Sequence, residues 1–81
     1  EVSVVQAYIL IQTEVGKAPS VVADIGAIDG VTVAHDVTGP YDVIVQLEAD
    51  DLDSLGNAIT EAVPKVSGVQ RTTTCLAVRL A

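Results

Sequence analysis

The junction Ile28-Asp29-Gly30-Val31 returns further along the chain as Val66-Ser67-Gly68-Val69, each time after a helical pattern and before a run of strand residues. A chain that must leave a helix, turn and enter a strand favours glycine at the corner, because glycine adopts backbone conformations closed to other residues. The repeat divides the sequence into two strand–helix–strand halves. Few small architectures accommodate two such halves in succession.

The rest of the pattern fits that division. Val4 to Gln12 alternates, with Val5, Ala7, Ile9 and Ile11 on one side and Tyr8 and Leu10 on the other. Lys17 to Ile28 reads as a helix with Pro19 in its first turn and Val21, Val22, Ile25 and Ile28 along one stripe. Val31, Val33, His35 and Val37 alternate with Thr32, Ala34, Asp36 and Thr38, the period of a strand. Gly39-Pro40-Tyr41-Asp42 connects this strand to another over Val43 to Leu47. Asp50 and Asp51 offer an N-cap to a second helix, striped by Leu52, Leu55, Ile59 and Val63 and stopped by Pro64. The last strand is expected from Val69 to Leu80. The order β-α-β-β-α-β points to a single α+β domain over residues 1–81 of ferredoxin-like type. It would have a four-stranded antiparallel sheet with two helices on one face.

Two helices cover one face of such a sheet, and the other face of a monomer should then be polar. Here it is not. Tyr8 and Leu10 oppose Ile9 and Ile11, Ile44 opposes Val43 and Val45, and Cys75 and Ala77 oppose Leu76, Val78 and Leu80. In a chain of 81 residues that is 49% hydrophobic, this surplus predicts a homodimer with sheet packed on sheet. Covering about 500 Å² per subunit at ~25 cal/mol per Å² contributes on the order of 10 kcal/mol before association costs.

Eleven acidic against four basic residues give a net charge of −7, which opposes direct contact with nucleic-acid phosphates. No apolar run is long enough for a membrane helix, and no secretory leader is recognisable, so the expected location is the cytoplasm. The single cysteine, Cys75, reads as a small buried hydrophobe. His35, the only histidine, reads as a buried or interfacial structural residue, and no second ligand stands at metal-binding spacing. The acidic group Glu48, Asp50, Asp51 and Asp53 lacks the glycine and alternation of a calcium loop and reads as helix capping and solvated charge. No cofactor motif is present.

The segment Thr38-Gly39-Pro40-Tyr41-Asp42 has two readings. It is a turn, with Gly and Pro setting the backbone. It also offers a polar pocket floor, in which Asp42 pairs with an ammonium while the Gly39 amide and hydroxyls from Thr72, Thr73 and Thr74 take a carboxylate. The residues alone leave these readings equal.

Several segments together resemble the effector-binding (RAM) domain of the Lrp/AsnC feast-famine regulators. They are Ala7-Tyr8-Ile9-Leu10-Ile11, the two glycine junctions, Val37-Thr38-Gly39-Pro40-Tyr41-Asp42 and Arg71-Thr72-Thr73-Thr74. The resemblance covers nearly the whole chain. It implies dimers of α/β barrel type assembling into octamers or decamers, with an amino acid or related small metabolite bound at dimer–dimer contacts. Carried onto this sequence, the ligand-binding residues are Gly39, Tyr41, Asp42, Thr72 and Thr74. Pro40 departs from the pattern by removing an amide donor. No helix-turn-helix precedes the first strand of the sequence, so a stand-alone member is expected, acting on transcription through partners such as full-length relatives. The competing readings are a small dimeric barrel enzyme using His35, Tyr8 and Asp42, and an oligomerisation module without a ligand.

Overall fold

The computed structural model describes residues 5–77. Its elements are β1 (Val5–Thr13), α1 (Ala18–Gly26), β2 (Val31–Asp36), β3 (Val43–Ala49), α2 (Leu52–Asn57) and β4 (Val69–Leu76). α2 runs directly into a π-helical turn over Ala58–Ala62. The strands form one antiparallel sheet in the order β2-β3-β1-β4. This is the ferredoxin-like β-α-β-β-α-β arrangement expected from the sequence.

The alternation in β1 and β3 decides where the core sits. Ala7, Ile9 and Ile11 pair with Leu47, Val45 and Val43, and all six are buried. Val21 and Ile25 of α1, Leu55 of α2 and Val63 beyond the π turn complete the core from the helix side. Burying one such aliphatic side chain is worth about 1.5–3 kcal/mol, so this layer is the main stabilising feature of the subunit.

α1 ends at Gly26, two residues before the expected Ile28. Ala27 N–H bonds Asp24 O and Ile28 N–H bonds Ile25 O, a tightening of the last turn that satisfies end carbonyls. Both repeated glycines then turn left-handed, Gly30 at φ +93° and Gly68 at φ +98°. A Cβ on Gly30 would lie 2.7 Å from the Glu48 carbonyl oxygen, and one on Gly68 would lie 2.9 Å from Lys17 Cβ. At the start of α2, Asp51 is the N-cap, with Oδ1 accepting Ser54 N–H at 2.7 Å. The acidic group therefore includes a capping residue, as read from the sequence.

One strand differs from its expected pattern. In β2 the register shifts between Val31, which pairs with Leu47, and Val33, which pairs with Gln46. Thr32 is the extra residue, and a bulge of this kind moves the residues beyond it to the other side of the sheet. Val31 and Ala34 consequently pack on the core, whereas Val33 and His35 lie on the opposite face. The single stripe Val31, Val33, His35, Val37 is thus corrected. Of the last strand, Val78 and Leu80 lie outside the described residues.

Candidate functional site

The face of the sheet away from the helices is built by the second set of alternate residues. β1 presents Gln6, Tyr8, Leu10 and Gln12, and β3 presents Ile44, Gln46 and Glu48. On the flanks, β2 adds Val33 and His35, and β4 adds Arg71, Thr73 and Cys75. Tyr8 is 41% exposed and Ile44 37% exposed in the subunit. On the two inner strands Tyr8, Leu10 and Ile44 form an apolar group beside Gln46, and the ends of those strands carry Gln6, Gln12 and Glu48. Among the acidic side chains of the described strands and helices, Glu48 alone is on this face, where it accepts a 2.7 Å hydrogen bond from Gln6 Nε2.

Cys75 is exposed, not buried as expected, because pairing with Tyr8 places it on this uncovered face. His35 is exposed there too, opposite Ile44. The three acid–base candidates do not converge. Tyr8 is opposite Gln46, His35 is on the edge strand, and the Asp42 carboxylate is engaged with Thr13. Among the described residues, no group of three or more His, Cys, Asp or Glu side chains is placed to hold a metal ion. No helix of the described residues is long and apolar enough to cross a membrane.

The β2–β3 loop is fastened at the end of this face. Val37 N–H bonds Asp42 O at 2.8 Å, and Asp42 N–H bonds Ile11 O at 2.8 Å. Gln12 Nε2 donates to Pro40 O at 3.2 Å. Asp42 Oδ2 accepts Thr13 N–H at 2.9 Å and faces Thr13 Oγ1 at 3.4 Å. The Tyr41 hydroxyl reaches Thr73 Oγ1 at 3.5 Å, the outer limit of a hydrogen bond. Gly39 is exposed, with nothing within 4 Å of where a Cβ would stand.

The structure therefore gathers Gly39, Tyr41 and Asp42 in one loop and adds Gln12, Thr13 and Thr73, which the sequence reading did not assign to the loop's anchoring. Thr72 and Thr74 are elsewhere. They pair with Ile11 and Ile9 and so point to the helix side. Thr74 lines a cleft of about 330 Å³ between α2 and β4, with Leu52, Leu55, Gly56, Ile59 and Leu76. A second cleft of about 420 Å³ at the start of α2 includes Asp29, Glu48, Asp50 and Asp51.

A four-stranded antiparallel sheet with helices on one side only, and an apolar centre on the other, defines a ferredoxin-like domain with an uncovered face. The chain belongs to the Lrp/AsnC family, matching its ligand binding domain over residues 6–80. It is 33% identical over 70 residues to an uncharacterised helix-turn-helix type transcriptional regulator of Pyrococcus abyssi. The match takes in 86% of this chain and 44% of that protein. The chain thus spans less than half the length of that relative. Among solved structures it is similar to FFRP-DM1, with 39% identity, a TM-score of 0.86 and coverage of 91% of this chain and 99% of that one. It shares its fold, at 18% identity and a TM-score of 0.79, with a Neisseria meningitidis transcriptional regulator solved as an L-Met complex. There the match covers 93% of this chain and 50% of that one.

Proposed function

We propose that this chain is the assembly and effector-sensing part of an Lrp/AsnC-type regulator, without catalytic activity of its own. It forms a homodimer through the helix-free face. Dimers assemble further, into an octamer or decamer, and bind an amino acid or related small metabolite in the cytoplasm. Its effect on transcription passes through DNA-binding partners, full-length relatives among them.

The observation that carries this reading is the uncovered face itself. Its inner strands bring Tyr8, Leu10 and Ile44 together around Gln46, and its edges and ends carry Gln6, Gln12, Glu48, Thr73 and Arg71, the mixed apolar core and polar rim of an interface. A second copy is the favoured occupant on charge grounds. Two molecules of net charge −7 repel one another. This face carries a single described strand carboxylate, already engaged by Gln6, and is where two copies approach with least repulsion. A surface that is apolar and nearly neutral also complements itself, as a two-fold contact requires.

The ligand is held by Gly39, Tyr41, Asp42, Thr72 and Thr74. Asp42 pairs with the ammonium, and hydroxyls with the Gly39 amide meet the carboxylate. Because Thr72 and Thr74 lie on the opposite side of β4 from Thr73, one subunit does not surround a ligand with all five. Completion by a neighbouring copy reconciles the set and places the ligand between dimers. The L-methionine bound by the Neisseria meningitidis protein supports an amino acid as the class.

Titration calorimetry of the chain against each of the twenty amino acids, beside sedimentation of the same sample, tests both parts. Heat of binding that disappears in Asp42→Ala, from a sample sedimenting as a dimer or larger, is the expected result. No heat and no thermal shift with any amino acid would remove the effector, and a folded monomer at micromolar concentration would remove the assembly.

A further inference from the structure

We propose that His35 makes self-association through the helix-free face sensitive to pH, so that acidification loosens the dimer. This rests on the proposed dimer, and it adds a control that acts on the interface and not on the ligand loop.

The placement of His35 carries the argument. The bulge at Thr32 brings the imidazole onto the uncovered face, in the row that runs from His35 through Ile44 and Leu10 to Thr73. Within its own strand its neighbour on that face is Val33. From β3 the facing residues are Ile44 and Gln46, with Glu48 further along and held by Gln6. Asp42 lies just beyond the strand, and its carboxylate is held by Thr13. From β1 the facing groups are Tyr8, Leu10 and Gln12, and from β4 they are Arg71, Thr73 and Cys75. Asp36 pairs with Val43 and so lies on the other side of the sheet. No described carboxylate forms an ion pair with His35.

A histidine gains a positive charge as pH falls through about 8 to 5, alone among ordinary side chains. On the free subunit that charge is hydrated. Between two sheets it would be pressed against Ile44 and Val33 with no described carboxylate of its own subunit beside it, and charge desolvated without a partner is strongly unfavourable. Protonation therefore favours the separated subunits. The chain contains one histidine, so the response in that window belongs to one position.

The test measures the dimer dissociation constant by sedimentation from about pH 7.5 to about pH 5.5, above the carboxylate range and below that of thiols. Wild type, His35→Gln and His35→Lys are compared, with circular dichroism confirming that each stays folded. In wild type the constant rises as pH falls, approaching about a hundredfold per pH unit as the two imidazoles of a dimer are both excluded from protonation. His35→Gln stays flat, and His35→Lys is already weak at the upper end. A wild-type constant that does not move, one that falls because a partner carboxylate meets the imidazolium, or an equal rise in His35→Gln overturns the role of His35 and leaves the dimer standing. A monomer at every pH removes the dimer and this proposal with it.

Discussion

Asp42 reaches from the end of the β2–β3 loop to Thr13, where its Oδ2 accepts the backbone N–H at 2.9 Å. The pairing of β1 with β4 shifts register between Gln12 and Thr13, and Asp42 satisfies the amide at that irregularity. A residue proposed above to bind the ligand thus has a structural duty within its own subunit. Removing a charged acceptor from a part-buried amide costs about 1–3 kcal/mol. Asp42→Ala should lower stability to denaturant by that amount, whereas Asp42→Asn keeps an oxygen for Thr13 and should lose less. An Asp42→Asn protein that is folded but no longer binds an amino acid would separate the two duties. If Asp42→Ala melts like wild type, the contact contributes nothing.

The glycines of the chain divide by surroundings, and the division predicts opposite signs. Gly30 and Gly68 combine left-handed backbone with close neighbours, the Glu48 carbonyl oxygen in one case and Lys17 Cβ and Val21 Cγ2 in the other. Alanine at either should destabilise by about 1–3 kcal/mol, most at Gly30, where the neighbour is backbone and cannot yield. Gly56 sits in α2 with open space around it. Gly56→Ala should stabilise by about 0.5–1 kcal/mol through the helix preference of alanine. Thermal melts of the three variants decide it, and a stable Gly30→Ala would mean that this junction is not fixed as described.

These positions also show what the sequence made legible. The repeated glycines mark both helix exits because each φ is a local demand that only glycine meets easily. The two faces of β1 and β3 can be separated because the strands pair without a bulge between them, but Tyr8, Leu10 and Ile44 leave both faces apolar, so only the fold tells which one meets the helices. β2 is not readable in the same way. The bulge at Thr32 arises from pairing with Gln46 and Leu47, and no residue in the strand announces it. The threonine run has the same difficulty. Thr72, Thr73 and Thr74 are chemically identical, and only register against Ile11, Leu10 and Ile9 tells which faces the helices. The π turn after Asn57 likewise leaves no pattern distinct from an ordinary helix, since Ile59 and Val63 keep helical spacing.

Tyr8 tests the uncovered face without touching the core. Its neighbours across the sheet are Gln46 and Cys75, and it is 41% exposed, so a polar replacement leaves the helix-side layer intact. Tyr8→Glu places a carboxylate at the centre of the proposed contact, and a two-fold brings two of them together. Sedimentation should show the monomer while the circular dichroism spectrum is unchanged. Ile9→Ala, one position along on the buried side, should do the reverse: it costs about 2–5 kcal/mol of stability by opening a cavity. A Tyr8→Glu protein that remains dimeric would place the contact on another surface.

Asp51 offers a pH-dependent test of how α2 is started. The Ser54 N–H donated to its carboxylate holds the group below its ordinary value, with the Ser54 side chain and the Asp53 amide acting in the same direction against slight desolvation. A carboxylate lowered on folding stabilises the native state at pH above its unfolded value and loses that contribution as pH falls through the folded value. Asparagine caps a helix about as well but does not ionise in this range. The stability difference between wild type and Asp51→Asn should therefore be constant near neutrality and shift against wild type below about pH 4, where aspartate begins to protonate. Denaturant titrations of both proteins across that range measure it, and two parallel pH profiles would show that the charge on Asp51 has no part in holding the helix start.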